Sequence, residues 1–319
     1  MQSRSAVSSL GRSPAPCPLC GENDPRPLFR PHRSPGPAVR CRCCGLVYIS
    51  PIETDYAIIT GPIVPPEKAT MLTSTDLSDL AGCWEVAHLP AREAEWPAIR
   101  RNAENSLRRL ERYRPPPGRL LDLGCGWGHF LAVAREHGWE PYGLEPLAGH
   151  ALYARACTGA TVITDVLHED TFPPAFFDVV TAFQVFEHLP DPAGDLGRLY
   201  RMLKPGGVIL IEVPNIATWS VFLLRKHHRH FVPDHLTFFS PQTLTRLLRE
   251  KGFQVLELDR PTRWMTLRHL LLDWLGRRLP TSFRQALERL LRKTRLEQRL
   301  VPVNLGDIIV AIGGKGPCR

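Results

Sequence analysis

The stretch that decides the fold is Leu120-Leu121-Asp122-Leu123-Gly124-Cys125-Gly126-Trp127-Gly128-His129-Phe130-Leu131. An apolar run typical of a buried strand leads through three closely spaced glycines into a run typical of a helix. Glycines let a ligand approach the backbone, and the first turn of the following helix offers it unpaired N–H groups. The spacing D-x-G-x-G-x-G differs from the G-x-G-x-x-G of dinucleotide-binding turns. Because Asp122 would repel a pyrophosphate, the turn favours a ligand that carries positive charge.

Around this turn strands alternate with helices, which predicts βαβ units and a parallel sheet. An amphipathic helix is predicted before it, over residues 98–113, and Pro115-Pro116-Pro117-Gly118 ends that helix. Strands are predicted at 119–123, 140–145, 161–164, 177–183, 207–213, 253–259 and 307–312, and further helices at 128–137, 148–156, 192–203 and 241–251.

Acidic residues end the second and third predicted strands: Glu145 in Tyr142-Gly143-Leu144-Glu145-Pro146, and Asp165 in Ile163-Thr164-Asp165-Val166. With the glycine turn and the segments Phe177–Leu189 and Leu203–Ile211, they resemble the ordered motifs of the class I S-adenosylmethionine (SAM) dependent methyltransferases. The resemblance covers roughly residues 98–260 and the last strand. It implies an α/β, Rossmann-like fold with a seven-stranded, mostly parallel sheet, an antiparallel last strand and helices on both faces.

The same resemblance implies SAM as the cofactor, whose ammonium and sulfonium groups suit an acidic glycine turn. Glu145 matches the residue that binds the ribose diol, and Asp165 matches the residue that accepts from the adenine amino group. The predicted cofactor-binding residues are Asp122, Gly124, Cys125, Gly126, Gly128, Glu145, Asp165, Val166 and Gln184.

The turn after the fourth strand, Gln184-Val185-Phe186-Glu187-His188, resembles the branch that contains the ubiquinone-type O-methyltransferases and many natural-product and sugar methyltransferases. We therefore expect methyl transfer to oxygen or carbon of a small-molecule, natural-product or glycan-precursor acceptor. Such an acceptor must lose a proton, and histidine suits that task because its pKa lies near neutrality. The candidate catalytic residues are His188, His230 and His235.

Each of these histidines has an alternative role. His188 could hold the turn, and His235 could form a cap-type hydrogen bond that organises Ser240-Pro241 at the start of the next helix. A metal site made by His230, Asp234 and His235 is a further alternative.

The N-terminal cysteines have the spacing C-x2-C-x20-C-x2-C, with a glycine directly after each pair. This pattern is typical of a structural, four-thiolate zinc site, whose ligands we predict to be Cys17, Cys20, Cys41 and Cys44. Cys43 could replace Cys44. Nine cysteines in a chain without an apolar leader favour metal and packing roles over disulfides and predict a cytoplasmic protein.

The chain of 319 residues is 43% hydrophobic and 23% charged, as expected for a globular protein, and has no apolar run long enough to cross a membrane. We predict a zinc ribbon with a flexible N-terminus at 1–50, a connector at 51–97 and a methyltransferase domain at 98–315. A basic helical insertion is expected at 262–304.

The net charge of +8 is concentrated in that insertion, because residues 262–300 hold ten Lys or Arg and three Asp or Glu. Its helix-spaced leucines and Trp274 favour packing on the domain or on a second subunit, with peripheral membrane contact as an alternative. Two other functions stay open: an RNA methyltransferase that grips RNA with the ribbon and basic helices, and a non-catalytic scaffold. The oligomeric state is not predicted.

Overall fold

A computed structural model of the chain describes residues 15–31, 34–52, 94–275 and 279–316. The predicted flexible N-terminus and almost all of the predicted connector at 51–97 lie outside these residues. The helices are α1 Trp96–Glu111, α2 His129–Glu136, α3 Ala148–Thr158, α4 Pro192–Met202, α5 Trp219–Leu224, α6 Pro241–Glu250 and α7 Thr281–Lys293. The strands are β1 Pro25–Phe29, β2 Ala38–Cys41, β3 Val47–Ile49, β4 Arg119–Leu123, β5 Glu140–Leu144, β6 Thr161–Ile163, β7 Phe177–Phe183, β8 Leu203–Pro214, β9 Thr237–Phe238, β10 Phe253–Asp259, β11 Arg263–Thr266, β12 Leu300–Val303 and β13 Ile308–Lys315.

The main sheet has seven strands in the order β10-β13-β8-β7-β4-β5-β6. Strands β4 to β8 run parallel to their neighbours in this group, whereas β13 is antiparallel to both β8 and β10. The expected fold is therefore confirmed. Its central strands are buried along their length because helices cover both faces of the sheet, which explains their near-continuous apolar sequences.

Because β4 to β8 run parallel, their carboxyl ends lie at one edge of the sheet. The strand order reverses at β4, which lies between β5 and β7, so the glycine turn after β4 sits at a topological switch point. Crevices at such points are where open α/β sheets bind ligands. The fold thus brings the glycine turn and the acidic strand ends to the same edge.

The insertion differs from the prediction because it is not wholly helical. Strands β11 and β12 pair antiparallel, with Arg263 opposite Val303 and Thr266 opposite Leu300. Between them lie a π-helical segment, His269–Leu275, and α7. Aromatic and β-branched residues such as Trp264, Val301 and Val303 favour strand pairing, and this outweighed the helical spacing of the leucines between them.

The N-terminal ribbon is continuous with the larger domain. Strands β1, β2 and β3 form a four-stranded sheet with β9, which belongs to the segment between β8 and α6. In this sheet Val47 lies opposite Phe238 and Tyr48 opposite Thr237. The described part of the predicted ribbon, residues 15–31 and 34–50, therefore shares a sheet with a segment of the region that follows it.

Among the described residues, no helix combines the length and apolar character that a membrane-spanning helix requires.

Candidate active site

The glycine turn has a backbone that other residues would strain. Gly124 and Gly128 have φ values of +68° and +77°, in the left-handed region. A Cβ atom on Gly124 would lie 2.7 Å from Val185 Cγ2, and one on Gly128 would lie 2.8 Å from Ala154 Cβ. Both glycines are therefore required by the turn and by the elements packed against it. Gly128 also precedes α2, whose first turn points its N–H groups toward the edge of the sheet.

Asp122, near the end of β4, is buried and accepts a hydrogen bond from Thr181 Oγ1 at 2.7 Å. Burial raises the pKa of Asp122 to about 7, and the charge of Glu145 adds to the effect, although the hydrogen bond from Thr181 opposes it. A cation placed beside this carboxyl would favour its ionised form. The predicted preference of the turn for a positively charged ligand stays a prediction.

Glu145 follows β5 and braces the glycine turn. Its Oε2 accepts from the N–H of Gly126 at 2.8 Å, and its Oε1 accepts from the N–H of Leu147 at 3.0 Å. The carboxylate therefore connects the ends of two adjacent strands. Glu145 is not among the residues that line the cleft beside the glycine turn, and its predicted role in binding the ribose stays a prediction.

Asp165 and Val166 follow β6, one strand further from the turn. Asp165 Oδ1 accepts from the N–H of Val166 at 2.7 Å and lies 3.3 Å from His168 Nε2. Neither residue lines the cleft that the glycine turn borders. Their predicted role at the adenine end stays a prediction.

A cleft of about 470 Å³ opens beside the glycine turn. Five predicted cofactor-binding residues line it: Asp122, Gly124, Cys125, Gly126 and Gln184. The sulfur of Cys125 points toward β5, because a Cβ on Gly143 would lie 2.6 Å from it. Cys125 therefore packs its side chain in the core and can offer a ligand mainly its backbone.

Glu212 and Arg263 form a charged wall of the cleft that the sequence analysis did not predict. Arg263 Nη1, from β11, donates to Glu212 Oε1 at 2.6 Å. Gln184 has a φ of 56° and donates its backbone N–H to the carbonyl of Glu212 at 2.8 Å. A residue other than glycine with such a φ is often found at functional sites. Glu212 could have been suspected, since an acid within an apolar strand is unusual, but Arg263 has no comparable signal.

Beyond Gln184, the chain assembles a cluster of three titratable side chains: Glu187, His188 and His235, here called the Glu187 cluster. Their potential ligand atoms all lie within 4.8 Å of one another. The two imidazole rings are 4.7 Å apart and nearly perpendicular. Sequence reasoning selected both histidines but not Glu187, although Glu187 precedes His188 in the same turn.

Hydrogen bonds to carbonyl groups orient both histidines. His188 Nδ1 donates to the carbonyl of Asp234 at 2.9 Å, and His235 Nδ1 donates to the carbonyl of His230 at 2.8 Å. A carbonyl only accepts, so each Nδ1 carries a proton and Nε2 is the basic nitrogen of the neutral ring. Burial, together with the nearby charge of His188, lowers the pKa of His235 to about 4. His235 is therefore neutral at physiological pH.

Glu187 is 1% exposed, and neither of its carboxyl oxygens has a hydrogen-bond partner among the described residues. Burial is the main reason that the pKa of Glu187 is raised to about 8; the charges of Glu212 and Asp234 add to this effect, and the backbone N–H of Glu187 itself opposes it. A buried carboxyl without partners is costly to ionise. The Glu187 carboxyl can therefore hold a proton or bind a cation. The Glu187 cluster has the donor atoms of a divalent-metal site.

Two predicted arrangements of the histidine segment are not formed. His230 Nε2 lies 3.3 Å from Asp307 Oδ2, at the start of the last strand, so the metal set of His230, Asp234 and His235 is replaced by the Glu187 cluster. The helix α6 is capped by Ser240 itself, which accepts from the N–H of Thr243 at 3.2 Å. The capping alternative for His235 is thus wrong, because a nearer hydroxyl already fills that role.

The amino-acid sequence matches a known protein family. A family model described as a methyltransferase domain matches residues 95–258, which is more than half of the chain. The chain belongs to the class I SAM-dependent methyltransferases.

Two curated relatives extend this result. A probable S-adenosylmethionine-dependent methyltransferase of Mycolicibacterium smegmatis is 32% identical over 140 residues, or 43% of this chain and 52% of that protein. The chain therefore spans about half the length of this relative. A ubiquinone biosynthesis O-methyltransferase of Thiobacillus denitrificans is 27% identical over 205 residues, or 59% of this chain and 87% of that protein.

Solved structures are similar as well. A complex of the Haloferax volcanii Trm112 methyltransferase activator with a putative methyltransferase contains a chain 19% identical, with a TM-score of 0.49 and coverage of 74% of this chain and 95% of that one. A putative methyltransferase of Bacillus halodurans is 18% identical, with a TM-score of 0.47 and coverage of 67% and 100%.

The methyltransferase carries a second group of potential ligands in its ribbon. The four predicted cysteines, Cys17, Cys20, Cys41 and Cys44, bring their sulfurs within 4.8 Å of one another. The Cys17–Cys44 and Cys20–Cys41 sulfur pairs are each 3.5 Å apart. Tetrahedral zinc with bonds of about 2.3 Å would separate its sulfurs by about 3.8 Å. Cys43 is exposed and lies outside the group, so Cys44 is the fourth member.

Proposed function

We propose that this methyltransferase transfers the methyl group of SAM to an oxygen or an acidic carbon of a small-molecule, natural-product or glycan-precursor acceptor. The supporting observation is the Glu187 cluster, which places two oriented imidazoles beside a buried carboxyl just beyond the cofactor cleft. The charge of Glu212, a residue of the cleft wall, acts on Glu187. An acceptor bound between the cleft and the cluster would have a proton acceptor within reach.

The cofactor would occupy the cleft, with Asp122 near its positive charges and the backbone of Gly124 and Gly126 against it. SAM supplies the reactive methyl group and a sulfur leaving group. The carboxyl of Glu145 would bind the ribose diol once its present backbone contacts rearrange, and Asp165 would bind the adenine. These assignments rest on the position of each residue at the carboxyl edge of the sheet.

In the transfer step the acceptor's oxygen or carbon forms a bond to the methyl carbon as the bond from that carbon to sulfur breaks. The electron pair of the broken bond stays on sulfur, and the acceptor's proton passes to Nε2 of His188 or His235. The main-chain carbonyls that hold each Nδ1 proton would stabilise the resulting imidazolium.

We further propose that the cysteine group binds zinc and that the ribbon positions the histidine segment. The N–H of Ile49, in β3, donates to the carbonyl of Leu236 at 2.9 Å. Leu236 is the residue directly after His235. The N–H groups of Leu236 and Thr237 donate to the carbonyl of Glu187 at 2.8 and 3.0 Å. The ribbon therefore contacts the segment that completes the Glu187 cluster.

The first experiment separates cofactor binding from transfer. Calorimetry with SAM should show binding that Glu145→Ala weakens, and an absence of SAM binding would leave a scaffold function. Release of S-adenosylhomocysteine is then measured with panels of phenols, nucleotide sugars and total RNA. We expect turnover with a small hydroxyl or carbon acid, whereas turnover with RNA alone would reject the proposed acceptor class.

The second experiment tests the cluster. We expect His188→Asn and His235→Asn to lower kcat by about 10²- to 10⁴-fold, as removal of a general base does, with SAM affinity nearly unchanged. His137→Asn is the matched control, because His137 pairs with Glu111 at the C-terminal end of α2, away from the carboxyl edge. Wild-type turnover of both cluster variants would remove the histidines from the mechanism.

A further inference from the structure

The short helix α5 presents an apolar face to solvent. Trp219, Phe222 and Leu223 are 74%, 78% and 68% exposed, and Leu224 beside them is also exposed. Positions 219, 222 and 223 follow the i, i+3, i+4 spacing that places side chains on one face of a helix. Large apolar side chains are normally buried at such spacing. Their joint exposure indicates a surface that binds an apolar partner.

The face is held in this orientation by the rest of the protein. The side chain of Thr218 caps α5 by accepting from the N–H of Val221. Val221 packs on the opposite side, against a cluster that includes Phe231 and Phe238. Ser220 Oγ and His228 Nε2 are 3.1 Å apart, which ties the helix to the chain that returns from it. The exposed side chains therefore sit on an anchored helix.

The residues after α5 carry positive charge. Arg225 and Lys226 are exposed, and no carboxylate of the described residues forms an ion pair with either of them. Arg229 pairs with Asp307. The sequence from Ile216 to Pro233 contains no Asp or Glu. Trp219, Phe222, Leu223, Leu224, Arg225 and Lys226, here called the α5 tip, thus combine apolar and cationic groups.

We propose that the α5 tip docks the protein on an anionic phospholipid bilayer. Its aromatic and leucine side chains insert at the boundary between head groups and acyl chains, and Arg225 and Lys226 contact the lipid phosphates. This combination of aromatic, leucine and basic residues is typical of segments that lie at membrane interfaces. Long basic side chains can reach the phosphates while their methylene groups stay in the apolar layer.

A second copy of the chain is the less suitable occupant. A stable protein interface uses about 20–30 residues on each side, whereas the α5 tip consists of six. Two copies that met through it would also bring Arg225 and Lys226 close to their equivalents. Bilayer docking requires neither a large area nor a complementary acidic surface on a protein. It is also independent of the methyl acceptor and of the proposed catalytic roles.

The test measures binding of the full, zinc-loaded chain to vesicles of phosphatidylcholine alone and of phosphatidylcholine with 30% phosphatidylglycerol. We expect sedimentation with the anionic vesicles and much weaker binding to the neutral ones. The double variant Trp219→Ala/Phe222→Ala should bind about tenfold or more weakly. Arg225→Gln and Lys226→Gln should each weaken binding about fivefold, and added salt should reduce the effect of the charges.

The matched control is Phe283→Ala/Leu290→Ala, which removes exposed apolar side chains from α7 instead. It should bind vesicles like the wild type. Light scattering without vesicles determines the oligomeric state of every variant. Equal binding to neutral and anionic vesicles, unchanged binding of the α5 variants, or a dimer that Trp219→Ala/Phe222→Ala dissolves would each overturn the proposal.

Discussion

Replacing Glu187 by glutamine should make the methyltransferase more stable at alkaline pH. Glu187 is buried, and its two carboxyl oxygens have no hydrogen-bond partner among the described residues. Burial raises its pKa from 4.5 to about 8. The neutral amide of Glu187→Gln has nearly the same shape as the protonated carboxyl but cannot ionise.

The direction in which the unfolding free energy changes with pH follows from the number of protons bound by the folded and by the unfolded protein. Between pH 4.5 and 8 the folded protein keeps a proton on Glu187, whereas the unfolded chain has lost it. The free energy of unfolding therefore falls as pH rises, by about 1.4 kcal/mol per pH unit. Over the whole interval the loss is about 5 kcal/mol, of which about 3 kcal/mol falls between pH 5.5 and 8.5. The variant avoids this loss.

The measurement is urea unfolding of both proteins at pH 5.5, 7.0 and 8.5, with the zinc concentration held constant. The difference in unfolding free energy between variant and wild type should grow by about 3 kcal/mol across that range, in favour of the variant. Asp170→Asn serves as the control, because Asp170 is exposed and its removal leaves buried charge unchanged.

A difference that stays constant with pH would refute the reasoning. It would mean that Glu187 is ionised throughout, with its charge balanced by a proton on His188 or His235 or by a bound cation. Calorimetric titration with Mg²⁺, Mn²⁺ and Zn²⁺ would then test for a bound cation. If a cation binds at Glu187, the wild type should bind it and Glu187→Gln should not.

Three further predictions concern the glycine turn and the ribbon. SAM affinity should fall about tenfold per pH unit below about 7, because a cation prefers the ionised Asp122, whose pKa lies near 7; calorimetry of Asp122→Asn should show no such slope. Gly128→Ala should lower the free energy of unfolding by about 1–3 kcal/mol, because its Cβ would lie 2.8 Å from Ala154 Cβ. The control is Gly197→Ala, which should not lower the urea midpoint, because no atom lies within 4 Å of a Cβ added at Gly197. Cys20→Ser should release zinc in a chromogenic chelator assay and lower kcat more than SAM affinity, and equal losses of both would contradict a positioning role for the ribbon.

Most of the main sheet could be predicted from the sequence. The strands at 119–123, 177–183 and 253–259 have the predicted bounds, and the helices α2, α3, α4 and α6 end within two residues of prediction. Apolar periodicity, prolines and glycines act over a few residues, so a linear sequence displays them. The insertion was predicted less well, because the pairing of β11 with β12 joins segments more than thirty residues apart.

The candidate catalytic residues also divide into those that the sequence indicates and those that only the fold reveals. His188 and His235 could be chosen because histidine is suited to proton transfer near neutral pH. Glu187 could not be distinguished from a surface acid, since its burial and its proximity to the charges of Glu212 and Asp234 arise only when the chain is folded. Arg263 reaches Glu212 across 51 residues of sequence, and no local pattern predicts that contact.

The sequence by itself determined the glycine turn, Asp122 to Gly128, because its glycines adopt backbone conformations that their own residue type permits. It also determined the four cysteines of the ribbon, whose spacing alone brings each pair to one tight turn. Only the tertiary structure decided that the ribbon's β3 pairs with β9, that Glu187 lies with His188 and His235, and that the apolar face of α5 meets solvent. These features depend on which distant segments become neighbours and on which side chains lose water, and both are set by the packing of the whole chain.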